Sequence, residues 1–217
     1  MSRLLLGALL LETLGITVQD PVSLAPPIEV RFDSVDYKNI LRWTPPINCT
    51  SLHYSVQLKI YGEPQWLDVV GCQGIQKLQC DLSDVTSTSR EWYYGRVHAF
   101  SLPSSKSAWA LSPRFSPRWD TKLSPPVLRL NVTEEGIVVR VKPPKLHIRK
   151  MHSILQYKIF VIHPSGEEKI VMYCCFHKRT LKHLEPKAKY CLQAQTLVVP
   201  QAKSSARGSL KCVTTSR

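Results

Sequence analysis

Apolar and polar residues alternate with a period of two along much of this chain. The alternation is clear over residues 28–32, 54–60 and 97–99. This spacing places one side of a strand on a core and leaves the other side in water. Turn-forming residues interrupt the runs at short intervals, at Pro26, Pro27, Pro45, Pro46, Gly62, Pro64 and Pro103. The pattern, with few helix signals, predicts an all-β sandwich.

The second half of the chain repeats this plan. Further strands are predicted at residues 127–132, 137–141, 155–162, 169–173 and 190–195. Leu184-Glu185-Pro186 leads to Tyr190 at the start of the last run, which is the pattern of a tyrosine corner. Trp92-Tyr93 begins a looser version in the first half. At 217 residues the chain has room for two domains of about 100 residues each.

A proline-rich segment, residues 114–126, separates the two halves. Its prolines stiffen it, and its apolar residues Phe115 and Trp119 are expected to pack at the domain junction. We interpret the segment as a short semi-rigid elbow. The predicted domains are residues 24–120 and 123–217.

The first residues are typical of a secretory signal. Arg3 precedes the apolar run 4–11, and Thr13 and Gly15 offer small residues for cleavage, so residues 1–15 are predicted to be a signal peptide. The alternative is a buried apolar strand. No other apolar run approaches the 20 or so residues that span a bilayer. Because the chain stops shortly after Cys212, we expect a secreted, extracellular protein without a membrane span.

Seven cysteines indicate an oxidising compartment. The sequons at Asn48 and Asn131 agree with that, because glycans are attached only after translocation. The cluster Cys174-Cys175-Phe176-His177 lacks the two-residue gap that is usual between zinc-binding cysteines. The sequence shows no phosphate-binding glycine loop and no nucleophile elbow. We therefore predict no metal, no cofactor and no enzymatic activity.

The formal charge of +13 lies almost entirely in the second half. Residues 24–120 carry ten Lys and Arg against nine Asp and Glu, whereas residues 121–217 carry eighteen against five. Two clusters stand out, Lys142, Lys145, Arg149 and Lys150, and then Lys178, Arg179, Lys182, Lys187 and Lys189. Such a field either attracts heparan sulfate or another acidic partner, or serves only solubility. Nucleic acid is not expected for a secreted sandwich.

Several segments together resemble the class II cytokine receptor family. They are residues 59–66, Cys72, residues 80–82, 93–97 and 113–117, the pair Cys191 and Cys212, Pro125-Pro126 and the Asn131 sequon. The resemblance covers residues 28–217, densely in the first half and more thinly in the second. It implies two tandem fibronectin type III-like sandwiches.

The resemblance also implies the disulfides Cys72–Cys80 and Cys191–Cys212. It leaves Cys49, Cys174 and Cys175 unexplained. The odd number is consistent with a free thiol or an intermolecular bond, or Cys49 pairs with one of the other two across the domains.

By resemblance, the partner is a helical cytokine of the interleukin-10 group, with interleukin-22 as the leading candidate, gripped by loops at the elbow. The implied contact residues are Tyr61, Gly62, Glu63, Leu102, Pro103, Leu146, His147, Val199 and Pro200. A turn tyrosine offers a large contact area at low entropic cost, although Tyr61 could instead pack on its own sheet. The tryptophans 43, 66, 92 and 109 are interpreted as core residues or as stacking partners of Arg42, Arg96 and Arg114.

The resemblance and the missing span together predict a secreted decoy that sequesters the cytokine and blocks its signalling through the membrane receptor. The alternatives in the same fold are the ectodomain of a signalling receptor and a tissue-factor-like protease cofactor. An alternative of another class is an extracellular matrix module that binds glycosaminoglycans.

Overall fold

In the computed structural model the described residues are 24–47, 51–101, 105–148, 154–174 and 178–216, with the backbone alone described at 172–174. Several predictions lie outside these residues. They concern the signal peptide 1–15, the Asn48 sequon, Cys49, the loop residues Leu102 and Pro103, and Cys175; the Cys174 side chain is likewise not described. Within the described residues, no helix has the length and apolar character needed to cross a membrane.

The first domain is a sandwich of two antiparallel sheets. Its strands are β1 (Ile28–Val35), β2 (Lys38–Thr44), β3 (His53–Ile60), β4 (Leu67–Asp68), β5 (Gln79–Asp81), β6 (Tyr93–Ser101), β7 (Ser105–Lys106) and β8 (Ala110–Leu111). One sheet has the order β1-β2-β5, and the other has the order β4-β3-β6-β7 with β8 also paired to β6.

The second domain repeats the arrangement. Its strands are β9 (Val127–Thr133), β10 (Gly136–Lys142), β11 (Leu155–Ile162), β12 (Glu168–Cys174), β13 (Lys178–Leu181), β14 (Lys189–Val198), β15 (Lys203–Ser204) and β16 (Lys211–Thr214). The smaller sheet has the order β13-β10-β9, and the larger has the order β12-β11-β14-β15 with β16 also paired to β14. The predicted all-β fold of two fibronectin type III-like sandwiches is confirmed.

Both predicted tyrosine corners form. The Tyr190 hydroxyl accepts a hydrogen bond from the backbone N–H of Glu185 at 3.0 Å, and the Tyr93 hydroxyl donates to the carbonyl oxygen of Thr88 at 3.1 Å. Both rings are almost completely buried. Because each phenol is satisfied by local backbone, the corner fixes the entry into β14 and β6, and the following residues alternate between core and surface.

The two disulfides implied by the family resemblance are present, Cys72–Cys80 and Cys191–Cys212. Cys191 and Cys212 are paired directly opposite each other on β14 and β16. The second bond therefore fastens the last strand to the middle of the larger sheet.

The segment between the domains differs from the prediction in what it packs against. Phe115 is buried in the core of the first domain, stacked on Phe32 with ring centroids 4.2 Å apart. Trp119, on the short helix α1 (Pro117–Asp120), is half exposed. Neither residue forms the apolar junction, which is made instead by Tyr37 and Leu123 within the core of the second domain. Phe115 is drawn inward because its backbone pairs with Tyr93 of β6.

Candidate ligand-binding site at the domain junction

Five chain segments meet where the two sandwiches join. The first domain contributes the β1–β2 turn, the β3–β4 turn and the segment 82–92, which precedes β6. The second domain contributes the segments that follow β10 and β14. Backbone pairing of Ile60 with Tyr93, and of Val35 with Lys122, places these ends of the first domain beside the interdomain segment.

The β3–β4 turn presents Tyr61 to solvent. The residue is 57% exposed, while its backbone N–H donates to the carbonyl oxygen of Trp92 at 2.7 Å. Gly62 follows with φ +91°, a left-handed conformation that glycine adopts without strain. Glu63 closes the turn through a backbone hydrogen bond to Ile60 and is itself exposed. The predicted contact residues Tyr61, Gly62 and Glu63 thus form one exposed tip.

An arginine supports the Tyr61 ring from one side. The Arg114 guanidinium carbon lies 5.5 Å from the centroid of the Tyr61 ring and 4.1 Å from that of Trp92. Cation–π contacts of this kind hold an aromatic ring in place without burying it. The ring is therefore exposed and also restrained, which lowers the entropic cost of using it as a contact.

The β1–β2 turn is buried in the junction. Asp36 and Tyr37 both have positive φ, which gives a two-residue hairpin turn of a kind that usually contains asparagine or glycine. Tyr37 has 0% exposure and packs within the core of the second domain. Its backbone N–H donates to the Thr121 hydroxyl at 2.9 Å, and its phenol donates to the Gln201 side-chain oxygen at 3.3 Å. Burial raises the pKa of Tyr37 above its ordinary value.

The segment after β10 is docked on this turn. Leu146 packs in the same core cluster as Tyr37, so its predicted role as a direct ligand contact is wrong. The backbone N–H of His147 donates to the Asp36 carbonyl oxygen at 2.9 Å, and its Nε2 lies 3.1 Å from an Asp84 carboxylate oxygen. His147 remains exposed and bridges the two domains.

The segment after β14 closes the other side of the junction. Val199–Gln201 form a 3₁₀ turn in which Val199 and Pro200 are exposed, as their predicted contact role requires. The Lys203 ammonium donates to the carbonyl oxygens of Arg118, Trp119 and Thr121 at 2.8–3.0 Å. These acceptors lie at the end of α1, where backbone carbonyls lack partners within the helix. Burial lowers the pKa of Lys203, and Asp120 opposes that shift.

The described residues that flank the predicted contact segment 102–103 lie at the opposite end of the first domain from the junction. Strand β6 begins at Tyr93, paired with Ile60 near the junction, and ends beyond Phe100, which is paired with His53. The flanking residues Ser101 and Ser105 are therefore at the far end of the sheet. Strand β6 runs away from the junction, so both flanks lie away from the elbow. Leu102 and Pro103 themselves lie outside the described residues, and their contact role stays a prediction.

The tryptophans behave as interpreted from the sequence. Trp43 is buried in the core, whereas Arg96 lies between Trp66 and Trp109, with its guanidinium carbon 4.2 and 4.4 Å from the two ring centroids. Arg42 instead pairs with Asp33 at 3.0 Å. These four tryptophans therefore pack in the core of the first domain or stack on its arginines.

The predicted basic cluster at 178–189 is not one surface. Lys178 pairs with Arg140 on the outer face of the smaller sheet, while Arg179 pairs with the core residue Val139 and so points to the other face. Lys182 lies 3.9 Å from Glu135. The exposed Lys187 and Lys189 belong to the corner that leads into β14. Proximity in sequence therefore did not predict proximity on a face.

Asn131 is exposed on β9 and is accessible for the predicted glycosylation. Three residues that the sequence did not single out, Asp36, Tyr37 and Asp84, hold the junction together. The only signal for the first two was a polar break between two alternating runs. Within the described residues, no cluster of His, Cys, Asp and Glu is arranged to hold a metal ion.

Comparison with known sequences identifies the family to which these two sandwiches belong. Residues 2–109 match the family model of tissue factor, and residues 121–216 match that of the interferon-alpha/beta receptor fibronectin type III domain. The chain belongs to the class II cytokine receptor family. Domains of this family are not enzymes, and neither is this chain.

Relatives extend over most of the chain. The interleukin-22 receptor subunit alpha-2 of Mus musculus is 34% identical, covering 96% of this chain and 96% of its own length. The same subunit of Rattus norvegicus is 35% identical over 94% of each chain. The chicken interferon gamma receptor alpha chain superposes with a TM-score of 0.81 at 20% identity, covering 90% of this chain and 100% of that one. This last likeness concerns the fold alone.

Proposed function

We propose that this protein is a secreted decoy receptor that captures a helical cytokine of the interleukin-10 group, with interleukin-22 first among the candidates. The observation that carries the proposal is the exposed, arginine-supported Tyr61 at the domain junction. The relatives named interleukin-22 receptor subunit alpha-2 supply the choice of cytokine.

Tyr61, Glu63, Val199 and Pro200 are the proposed contact residues, joined by the exposed Val85 and Trp119. Aromatic and aliphatic side chains that are exposed on a rigid frame are typical anchors of protein interfaces. His147 belongs to the same surface, but its contact with Asp84 gives it a second role in the junction. Because these residues come from both domains, binding depends on the angle between the domains.

Binding to immobilised interleukin-22 tests the contact surface. Tyr61→Ala should weaken binding by more than about 1 kcal/mol, which is roughly a fivefold loss of affinity, because the anchor ring is removed. Val70→Ala is the matched control, since Val70 is 96% exposed and lies beside Cys72 rather than at the junction. Equal affinities of the two variants would contradict the proposed anchor.

A competition measurement tests the decoy role separately. The protein should block interleukin-22 binding to the ectodomain of interleukin-22 receptor subunit alpha-1. Cells that carry the membrane receptor should lose their response to interleukin-22 over the same range of protein concentration. Capture of the cytokine without competition would retain the receptor assignment and contradict the decoy role. No binding to any cytokine of the group would contradict both.

A further inference from the structure

A row of cations crosses the outer face of the smaller sheet in the second domain. Strand register pairs Arg140 of β10 with Arg129 of β9 on one side and with Lys178 of β13 on the other. Directly paired residues point to the same face of a sheet, so Arg129, Arg140 and Lys178 share one face. Lys142 shares this face as well, because it lies two positions beyond Arg140 on the same strand. All four side chains are exposed. We call Arg129, Arg140, Lys142 and Lys178 the cation row.

The row has no acidic partner. Among the described residues, none of its four side chains makes an ion pair, a side-chain hydrogen bond or a cation–π contact. By contrast, Arg207 pairs with Glu168 at 2.8 Å and covers Phe160 at 3.6 Å. Like charges directly opposite each other on neighbouring strands destabilise a sheet. The row therefore opposes folding stability rather than supporting it.

The geometry of the row suits an extended anion. Neighbouring strands are about 4.8 Å apart, so three cationic heads follow one line about 10 Å long. The planar guanidinium groups of Arg129 and Arg140 present paired N–H donors, which match the oxygens of sulfate and carboxylate groups. A shallow depression lined by Arg129, Arg140 and Lys142 lies at one end of the line.

We propose that the cation row binds a sulfated polysaccharide laid across the three strands. The rest of this face favours such a polyanion over a folded acidic protein. Its other positions on the same side include Asn131, Thr133, Val138 and Thr180, none of them aromatic. Its exposed apolar residue is Val127, which pairs with Lys142, and the described strands of this face present no aromatic side chain. Protein interfaces usually have aromatic or long apolar anchors at their core.

The Asn131 sequon lies beside the row. Asn131 follows Arg129 by two residues on the same strand and therefore points to the same face. A glycan on Asn131 would crowd the row and reduce access for the polysaccharide. The experiment is therefore made in an Asn131→Gln background, and the glycosylated protein should bind heparin less tightly.

The test compares two triple variants that remove the same number of charges. The row variant carries Arg129→Gln, Arg140→Gln and Lys178→Gln. The control variant carries Lys182→Gln, Lys187→Gln and Lys189→Gln, which lie in the same domain but outside the row. Titration with heparin oligosaccharide at several salt concentrations measures affinity and its salt dependence for the full-length protein.

We expect the row variant to lose about tenfold or more in affinity and to lower the slope of log affinity against log salt by about two, because bound cations release counterions from the polyanion. The control variant should retain most of its heparin affinity and most of the salt dependence of binding. Removing the like charges should leave thermal stability unchanged or slightly higher, which excludes misfolding as the cause.

Equal losses in the two variants would show that only net charge matters and would overturn the site. Unchanged heparin binding by the row variant would overturn the site too. Binding to vesicles that contain phosphatidylserine is measured in parallel, and a row variant that loses only vesicle binding would show that the row recognises a lipid surface instead. The row variant should still bind interleukin-22 like the parent, so failure of this inference leaves the proposed cytokine function intact.

Discussion

Two turns at the same end of the first domain each carry a tyrosine, and the two side chains have opposite environments. Tyr61, in the β3–β4 turn, is 57% exposed, whereas Tyr37, in the β1–β2 turn, has no exposed surface. Both turns have a residue with positive φ. The difference is that the second domain covers one turn and leaves the other free.

The two tyrosines have separate roles at the junction. Tyr37 of the first domain is buried in the core of the second domain and so joins the two, whereas Tyr61 stays exposed and available to a partner. Positive φ at a bulky residue such as Tyr37 is strained, and it persists only where surrounding contacts compensate for it. Hydrogen bonds from Ser124 and His147 to Asp36 supply such contacts, at 2.8 and 2.9 Å.

Truncation of the two tyrosine rings should give the largest difference in the free energy of unfolding. Tyr37→Ala should destabilise the protein by about 3–5 kcal/mol, the usual cost of removing a fully buried aromatic side chain. Tyr61→Ala should change stability by less than about 0.5 kcal/mol, because exposed positions tolerate truncation. Chemical denaturation monitored by tryptophan fluorescence gives both values. A similar cost for the two variants would refute the division of roles.

Loss of the Lys203 hydrogen bonds to the end of α1 should have the next largest effect on the free energy of unfolding. Lys203→Met retains the apolar stem but leaves three carbonyl oxygens without their ammonium donor, which should cost about 1–3 kcal/mol. Lys189→Met is the matched control, because Lys189 is exposed at the far end of β14. The same denaturation measurement applies. If the two methionine variants are equally stable, the Lys203 hydrogen bonds contribute nothing to the stability of the junction.

The smallest expected effect is a change in alkaline stability. Burial raises the pKa of Tyr37 above its ordinary value of 10.0, so the folded state holds this proton more tightly than the unfolded state. Its contribution is therefore complete below that pH and is lost as pH rises through the folded pKa. Tyr93 and Tyr157 shift in the same direction, also because of burial.

Tyr37→Phe isolates one of these groups. The variant should lose about 1 kcal/mol or less at neutral pH, since only the hydrogen bond to Gln201 is removed. Its stability should then fall less steeply than that of the parent as pH rises above about 10, where the unfolded state begins to lose the Tyr37 proton before the folded state does. Parallel pH curves for parent and variant would show that Tyr37 does not titrate differently in the folded state.

Much of the fold follows from local sequence. Strands such as β3 and β14 have alternating apolar residues, and the Leu184–Tyr190 corner is readable because its hydrogen bond closes within five residues. The Tyr61 tip was predictable for the same reason, since Gly62 marks a tight turn between two strands. The surface of the candidate site was less predictable. Leu146 lies in a loop segment that the sequence predicts to contact the ligand, yet it is buried against a turn of the other domain.

The two sandwiches, their tyrosine corners and the tight turn at Gly62 follow from the sequence alone, because period-two burial and turn chemistry act over a few neighbouring residues. The exposure of Tyr61 on that turn came from the structure. Three further features emerge from tertiary contacts: Tyr37 is an interdomain anchor, Ser101 and Ser105 lie away from the junction, and Arg129, Arg140 and Lys178 form one row. These features depend on strand register and domain contact, which bring together residues that are distant in the chain.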